Sequence, residues 1–196
     1  MIFRALNIAR WPLLCLFFIS GCAASPDEAA SPQGYPQAYL DRLMPKEAAK
    51  TLSPQEAQGK KSFERVFSHL KSQDLGERIT QSYAQSIYFN DTFRTVKKRD
   101  DLITYLQKTA DSTPVNSVHV LDVFSSGNDI YIKWKMSFTF HILGDEKRSH
   151  SIGISHLKLN SGGQIVLHQD FWDGVEGFYQ HLPIIGGWIK NIREDL

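Results

Sequence analysis

From Val115 onward, apolar and polar residues alternate with a period of two, most clearly over residues 130–140. Ile130, Ile132, Trp134, Met136, Phe138 and Phe140 fall on one side; Tyr131, Lys133, Lys135, Ser137 and Thr139 fall on the other. The first set predicts a buried face and the second a wet one. Residues 117–125, 129–142, 148–159 and 164–172 read as four strands in this way. Gly127-Asn128-Asp129, Gly144-Asp145 and Ser161-Gly162-Gly163 supply the turns between them. Before Val115 the period is helical. Phe63, Val66, Phe67 and Leu70 predict a helix over 60–72, and Leu75, Ile79 and Tyr83 one over 75–85. Leu102, Ile103, Tyr105 and Leu106 predict a third over 100–110. Residues 86–90 read as a short strand, followed by a loop through Asp91-Thr92-Phe93-Arg94. After the last strand, Val175, Phe178, Tyr179 and Leu182, then Ile185, Trp188, Ile189, Ile192 and Leu196, return to helical spacing. Pro183 and Gly186-Gly187 interrupt it. Helices first and antiparallel strands after predict an α+β domain, with helices on one sheet face and a C-terminal helical tail.

The first residues are different in kind. Arg4 and Arg10 precede a short apolar run, Trp11 to Ile19, and Ile19-Ser20-Gly21-Cys22 closes it. The run is shorter than the roughly 20 apolar residues a membrane span needs, so it reads as a processing segment. The combination resembles a bacterial lipoprotein signal, with residues 1–21 removed and Cys22 acylated as the first mature residue. Ala23 follows Cys22 where no aspartate stands, a pattern that resembles sorting to the outer membrane. The expectation is a chain exported to the periplasmic face and attached to the membrane through lipid on Cys22. Residues 22–58 hold Pro26, Pro32, Pro36, Pro45 and Pro54 among Ala, Ser, Gln and Glu, and read as a tether. Tyr39-Leu40 and Leu43-Met44 are its apolar points, able to form one helical turn or to dock. The domain proper is expected over 59–196.

Composition narrows the function. The 196-residue sequence has a net charge of +1; without Arg4 and Arg10 it falls to −1. A near-neutral chain with no basic patch does not suggest a nucleic-acid partner. Cys15 leaves with the leader and Cys22 carries lipid, so no disulfide is expected and the core alone must stabilise the domain. His119, His141, His150 and His181 show no metal-ligand spacing, and no cysteine or serine nucleophile motif is present, so neither a metal nor a cofactor is expected.

The candidate chemistry lies on the last strand. His168, Asp170 and Trp172 alternate to one side, with Ile165, Leu167 and Phe171 to the other. Two titratable groups beside a tryptophan suit acid/base work, where burial and a neighbour set protonation. They are expected to behave as a coupled pair. His156 should point away from them, to the outer sheet surface.

Tyr88-Phe89-Asn90-Asp91-Thr92-Phe93, Trp134-Lys135-Met136-Ser137-Phe138-Thr139-Phe140, Gly153-Ile154-Ser155-His156-Leu157 and the 168–173 segment, in this order, resemble the SnoaL-like branch of the nuclear-transport-factor-2-like superfamily. The tail Glu176-Gly177-Phe178-Tyr179-Gln180-His181-Leu182-Pro183 resembles bacterial members of it. The resemblance implies a curved antiparallel sheet wrapped by the N-terminal helices into a cone. It places Asp91 where ketosteroid isomerases keep a proton-shuttling aspartate. Their oxyanion-hole tyrosine would fall near Val66 and their second acid near Ser155, neither of which replaces those donors in kind. His168 and Asp170 match the His and Asp on the last strand of SnoaL-like cyclases, where the Asp is the acid/base group. An epoxide hydrolase would need an Asp-Arg-Asp set, for which Arg94 is the nearby arginine. The implied site is therefore Asp91, His168 and Asp170, with Trp134, Met136, Phe138 and Trp172 lining an apolar space. Three readings stay open: binding of a small apolar or amphipathic molecule, an isomerase, cyclase or hydrolase, and a structural partner in an envelope complex. The resemblance also implies a homodimer through the outer sheet face.

Overall fold

The computed structural model describes residues 39–43, 50–113 and 116–196. The expected leader, Cys22 and most of the expected tether lie outside the described residues. Residues 33–196 form one compact unit. Its core draws on residues from Leu52 to Trp172, so this stretch carries its own core.

Helix α1 (Pro54–Phe67) starts earlier and ends earlier than its apolar spacing predicts. The cause is local. The Ser53 hydroxyl accepts from the Glu56 amide, and the Glu56 carboxylate accepts from the Ser53 amide at 2.8 Å, a reciprocal cap with Pro54 in the first turn. At the other end, Arg78 donates to the carbonyls of Arg65 and His69 and satisfies the exit of the helix. Glu56 is 4% exposed. The Ser53 amide, the Lys50 ammonium and the Ser125 hydroxyl hold its carboxyl at about 2, against an ordinary 4.5. A carboxyl depressed in the folded state stabilises fully above its unfolded value and loses that contribution as pH falls through the folded one. The denaturant midpoint is therefore expected to drop between about pH 4.5 and about pH 2. Glu56→Gln should remove this pH dependence and cost about 1–2 kcal/mol at neutral pH. Urea titrations of both proteins across that range measure it.

Helix α2 (Leu75–Ser82) is shorter than expected, because strand β1 (Tyr83–Asn90) begins where the helix was predicted to continue. Leu75, Ile79 and Tyr83 do share helical spacing. Tyr83, Ile87 and Phe89 also share strand spacing, and all three are buried. Pairing of Tyr83 with Ile165 decides between the two. Strand β2 (Thr95–Lys98) turns back on β1, and helix α3 (Arg99–Ser112) follows. Strands β3 (Asn116–Ser126), β4 (Asp129–Ile142), β5 (Asp145–Leu159) and β6 (Ile165–Trp172) make the expected meander. The sheet order is β2-β1-β6-β5-β4-β3. All pairs are antiparallel except β1 and β6, which run parallel. The curved sheet holds α1 and α3 on its inner face, where Ile130, Ile132, Trp134, Phe138 and Phe140 are buried as the alternation predicts.

Thr139, on the side of β4 expected to be wet, is buried, and a face assignment on β6 is wrong. Ile165 is fully buried with His168, not on the opposite face. Lys158 pairs with Leu167 and Leu159 with Ile165, which leaves Val166 as an extra residue. This bulge resets the alternation of β6.

The tail begins with the short helix α4 (Gly174–Gly177), capped by Asp173, and a 3₁₀ turn (Tyr179–His181). Helix α5 (Ile185–Glu194) follows. Gly186-Gly187 does not interrupt it as predicted. Gly186 instead lets the helix approach the preceding turn, since a Cβ there would stand 2.1 Å from the Gln180 carbonyl oxygen. Arg193 fastens α5 to Glu176 at 2.6 Å. In the expected tether, residues 39–43 make a turn that docks on the outer sheet face, with the Tyr39 ring 4.9 Å from the Lys133 ammonium.

Candidate functional site

The inner sheet face and α1 and α3 enclose a cavity of about 540 Å³. Trp134, Met136, Phe138 and Trp172, expected to share an apolar space, all line it, together with Phe89, Phe93, Phe140, Tyr105 and Phe178. Asp91 and Asp170 line it too. His168 does not: it is fully buried behind Asp170, among Phe63, Phe67 and Phe89.

His168 joins two elements far apart in the chain. Its Nδ1 lies 2.6 Å from the Tyr83 hydroxyl, and its Nε2 lies 2.8 Å from Asp170 Oδ1. Burial, and next the charge of Asp170, push the Tyr83 phenol well above its ordinary range, so it keeps its proton. The imidazole thus links the Tyr83 hydroxyl to the Asp170 carboxyl. A second chain reaches the same oxygen. The Trp134 indole, which can only donate, gives its N–H to Ser155 Oγ at 2.9 Å. Ser155 then donates to Asp170 Oδ1 at 2.5 Å. Both chains end on Oδ1 of Asp170. Among the described residues, no protein donor reaches Oδ2.

Gly153 makes the second chain possible. It lies beneath the Trp134 ring, and a Cβ there would stand 2.4 Å from Cζ2. Asp91 is held differently. Its Oδ1 accepts from the amides of Phe93 and Arg94, and its Oδ2 from Tyr105 at 2.5 Å. Trp172 donates its indole N–H to the Asp91 carbonyl at 3.0 Å, tying the end of β1 to β6. Burial pushes the Asp91 carboxyl upward; the Tyr105 hydroxyl and backbone amides oppose this, and the charge of Asp170 adds to it. Burial and the Asp91 partner raise Tyr105 in turn.

The structure thus brings Asp91 and Asp170 to one cavity with the four apolar residues, and places His168 behind it as a support. Arg94 stays exposed with its guanidinium 5.5 Å above the Tyr105 ring, and does not line the cavity. Val66 is core, and Ser155 hydrogen-bonds Asp170. His156 is directed away from the cavity, as expected, and pairs with Asp129 at 2.5 Å. Among the described residues, no group of His, Cys, Asp and Glu could hold a metal ion. The sequence reading missed the roles of Tyr83, Tyr105, Ser155 and Gly153. The only local signal was Gly153 itself, a glycine inside a long strand, which marks a close approach.

A family model described as a SnoaL-like domain matches residues 63–168. No curated protein sequence matches. Among solved structures, the chain is similar to a candidate SnoaL-like polyketide cyclase from Jannaschia sp. CCS1, with 15% identity and a TM-score of 0.53, over 65% of this chain and 93% of that one. It is similar to an LEH-like epoxide hydrolase of M. tuberculosis, with 14% identity and a TM-score of 0.52, over 65% and 86%. It is also similar to TsrD from Streptomyces laurentii, with 13% identity and a TM-score of 0.52, over 64% and 94%.

Proposed function

Because this chain belongs to the SnoaL-like domain family, we propose that its cavity binds one small apolar or amphipathic molecule, in a protein held to the periplasmic face of the outer membrane by lipid on Cys22. The observation that carries the binding reading is the cavity itself. About 540 Å³ walled mostly by aromatic rings, with two carboxylates as its main polar groups, is the usual form of a small-molecule site. Native mass spectrometry of the protein from its own organism should show a bound small molecule. Met136→Trp, which fills the space, should remove it. Protein that carries no ligand, and takes up no neutral apolar dye such as Nile red, would end this reading.

The membrane attachment rests on the lipobox alone. Cys22→Ala should leave the protein unacylated and free of membranes when cells are labelled with palmitate and fractionated. An unchanged membrane fraction would remove the anchor and leave the cavity untouched.

One observation favours a second reading, acid/base catalysis. Two hydrogen-bond chains fix Asp170 from behind and leave Oδ2 facing the cavity, the arrangement a general base needs. Asp91 supplies a second carboxyl to the same cavity. Arg94 lies outside the cavity, so the Asp-Arg-Asp set of an epoxide hydrolase is not assembled, and proton transfer of the isomerase or cyclase kind fits better. Asp170→Asn should abolish turnover and move the ¹⁵N resonances of His168. Moved resonances with unchanged turnover would make the pair structural.

A further inference from the structure

The charge inside the cavity is one-sided. Asp91 and Asp170 both line it, no lysine or arginine does, and the basic side chain among the lining residues is the exposed His141. Asp91 has both oxygens occupied, by two backbone amides and Tyr105. Asp170 has Oδ1 occupied by Ser155 and His168, and Oδ2 open to the cavity among the described residues. Its side chain is only 12% exposed. Those two partners are a neutral hydroxyl and an imidazole, and among the described residues no lysine or arginine pairs with it. The Asp170 carboxyl thus stands in an aromatic enclosure with no lysine or arginine beside it among the described residues. Burying a carboxylate charge is costly unless a partner compensates it.

The walls fit that partner. Aromatic rings attract organic cations through their quadrupole, and Trp134, Trp172, Tyr105 and Phe93 are among the lining residues. We infer that the cavity takes an organic ammonium ion, whose protonated amine seats on Asp170 Oδ2 and whose apolar body lies along Trp134, Met136 and Phe138. The inference rests on the small-molecule reading of the cavity and names the class of molecule. An anion of the same size meets two carboxyl groups and no lysine or arginine, so the site discriminates by repulsion as well as attraction. A neutral alcohol can donate one hydrogen bond to Oδ2 but leaves the charge uncompensated.

The test uses residues 33–196, which carry their own core, at pH 7.5. Octylammonium, 1-octanol and octanoate share one chain length and differ in charge. Calorimetric titration should find octylammonium at least tenfold tighter than octanol, and octanoate weaker than both. Asp170→Asn keeps the acceptor that Ser155 and His168 address and turns a donor toward the cavity. In that variant, octylammonium should lose its advantage over octanol. Near-ultraviolet circular dichroism checks that the variant is folded, and Asp91→Asn serves as a second variant with a smaller loss in the same direction. Octanoate binding as tightly as octylammonium, or an ammonium preference that survives in Asp170→Asn, would overturn the inference. Nile red binding without any charge preference defeats this inference alone. If neither the dye nor any of the three compounds binds, the small-molecule reading falls and takes this one with it.

Discussion

Replacing His168 with leucine is expected to cost the domain about 3–5 kcal/mol, although leucine suits an apolar surrounding at least as well. The position is fully buried among Phe63, Phe67 and Phe89, with ring centroids 4.9–6.0 Å away, so packing changes little. The loss comes from what the imidazole joins. Tyr83 is left with a buried hydroxyl and no acceptor, and Asp170 loses one of two donors to a buried charge. Each unmet buried group costs about 1–3 kcal/mol, the charged one at the upper end. Tyr83→Phe in the same protein removes the orphaned hydroxyl. The double variant should therefore be destabilised by less than the sum of the singles, a coupling that a double-mutant cycle in urea reads directly. Additive losses would show that the Tyr83–His168 contact contributes nothing.

Gly153→Ala is expected to destabilise by about 2–4 kcal/mol, against the usual direction. In an ordinary strand, alanine gains roughly 0.5–1 kcal/mol over glycine. Here its Cβ would stand 2.4 Å from Trp134 Cζ2, 2.5 Å from Cη2 and 3.0 Å from the Phe171 carbonyl oxygen. Backbone cannot yield, so the indole must move. Forced repacking of this kind costs about 1–3 kcal/mol. A displaced indole also gives up its bond to Ser155, and with it the second support of Asp170, at about 1 kcal/mol more. The same variant should weaken ligand binding through a residue that never touches ligand. Trp134→Leu removes the ring that alanine meets, so in that background Gly153→Ala should cost close to nothing. Unchanged stability in the Trp134 protein would place the indole elsewhere.

Much of this architecture was written in periodicity. The alternation over residues 130–140 identified the inner face of β4, and with it Trp134, Met136 and Phe138 as cavity wall. Asp170 was legible in the alternation of the last strand, and Asp91 through resemblance. The remainder depended on register. No local pattern reveals the extra residue at Val166, which carries Ile165 to the core side of β6. Tyr83 satisfied the helical and the extended spacing equally, and only pairing with β6 decided between them. The start of α1 was masked by the proline-rich sequence before it, although Ser53-Pro54-Gln55-Glu56 is a capping signal that could have been read. Tyr105 counted as one apolar helix residue until its hydroxyl was found on Asp91.

The parallel pairing of β1 with β6 has a consequence for how the domain is made. Strands β3 to β6 follow one another through short turns and can zip together locally. Strand β1 must wait for its neighbour, because Tyr83 and His168 are 85 positions apart. Closing a loop of that length costs about 4 kcal/mol of chain entropy before any contact returns it. Low-contact-order parts of a domain form first and distant pairings last. During refolding, the indole environment of Trp134 should therefore be established ahead of the Tyr83–His168 contact. On the ribosome the supported carboxylate cannot exist until β6 has emerged, so the apolar wall stands open in the nascent chain.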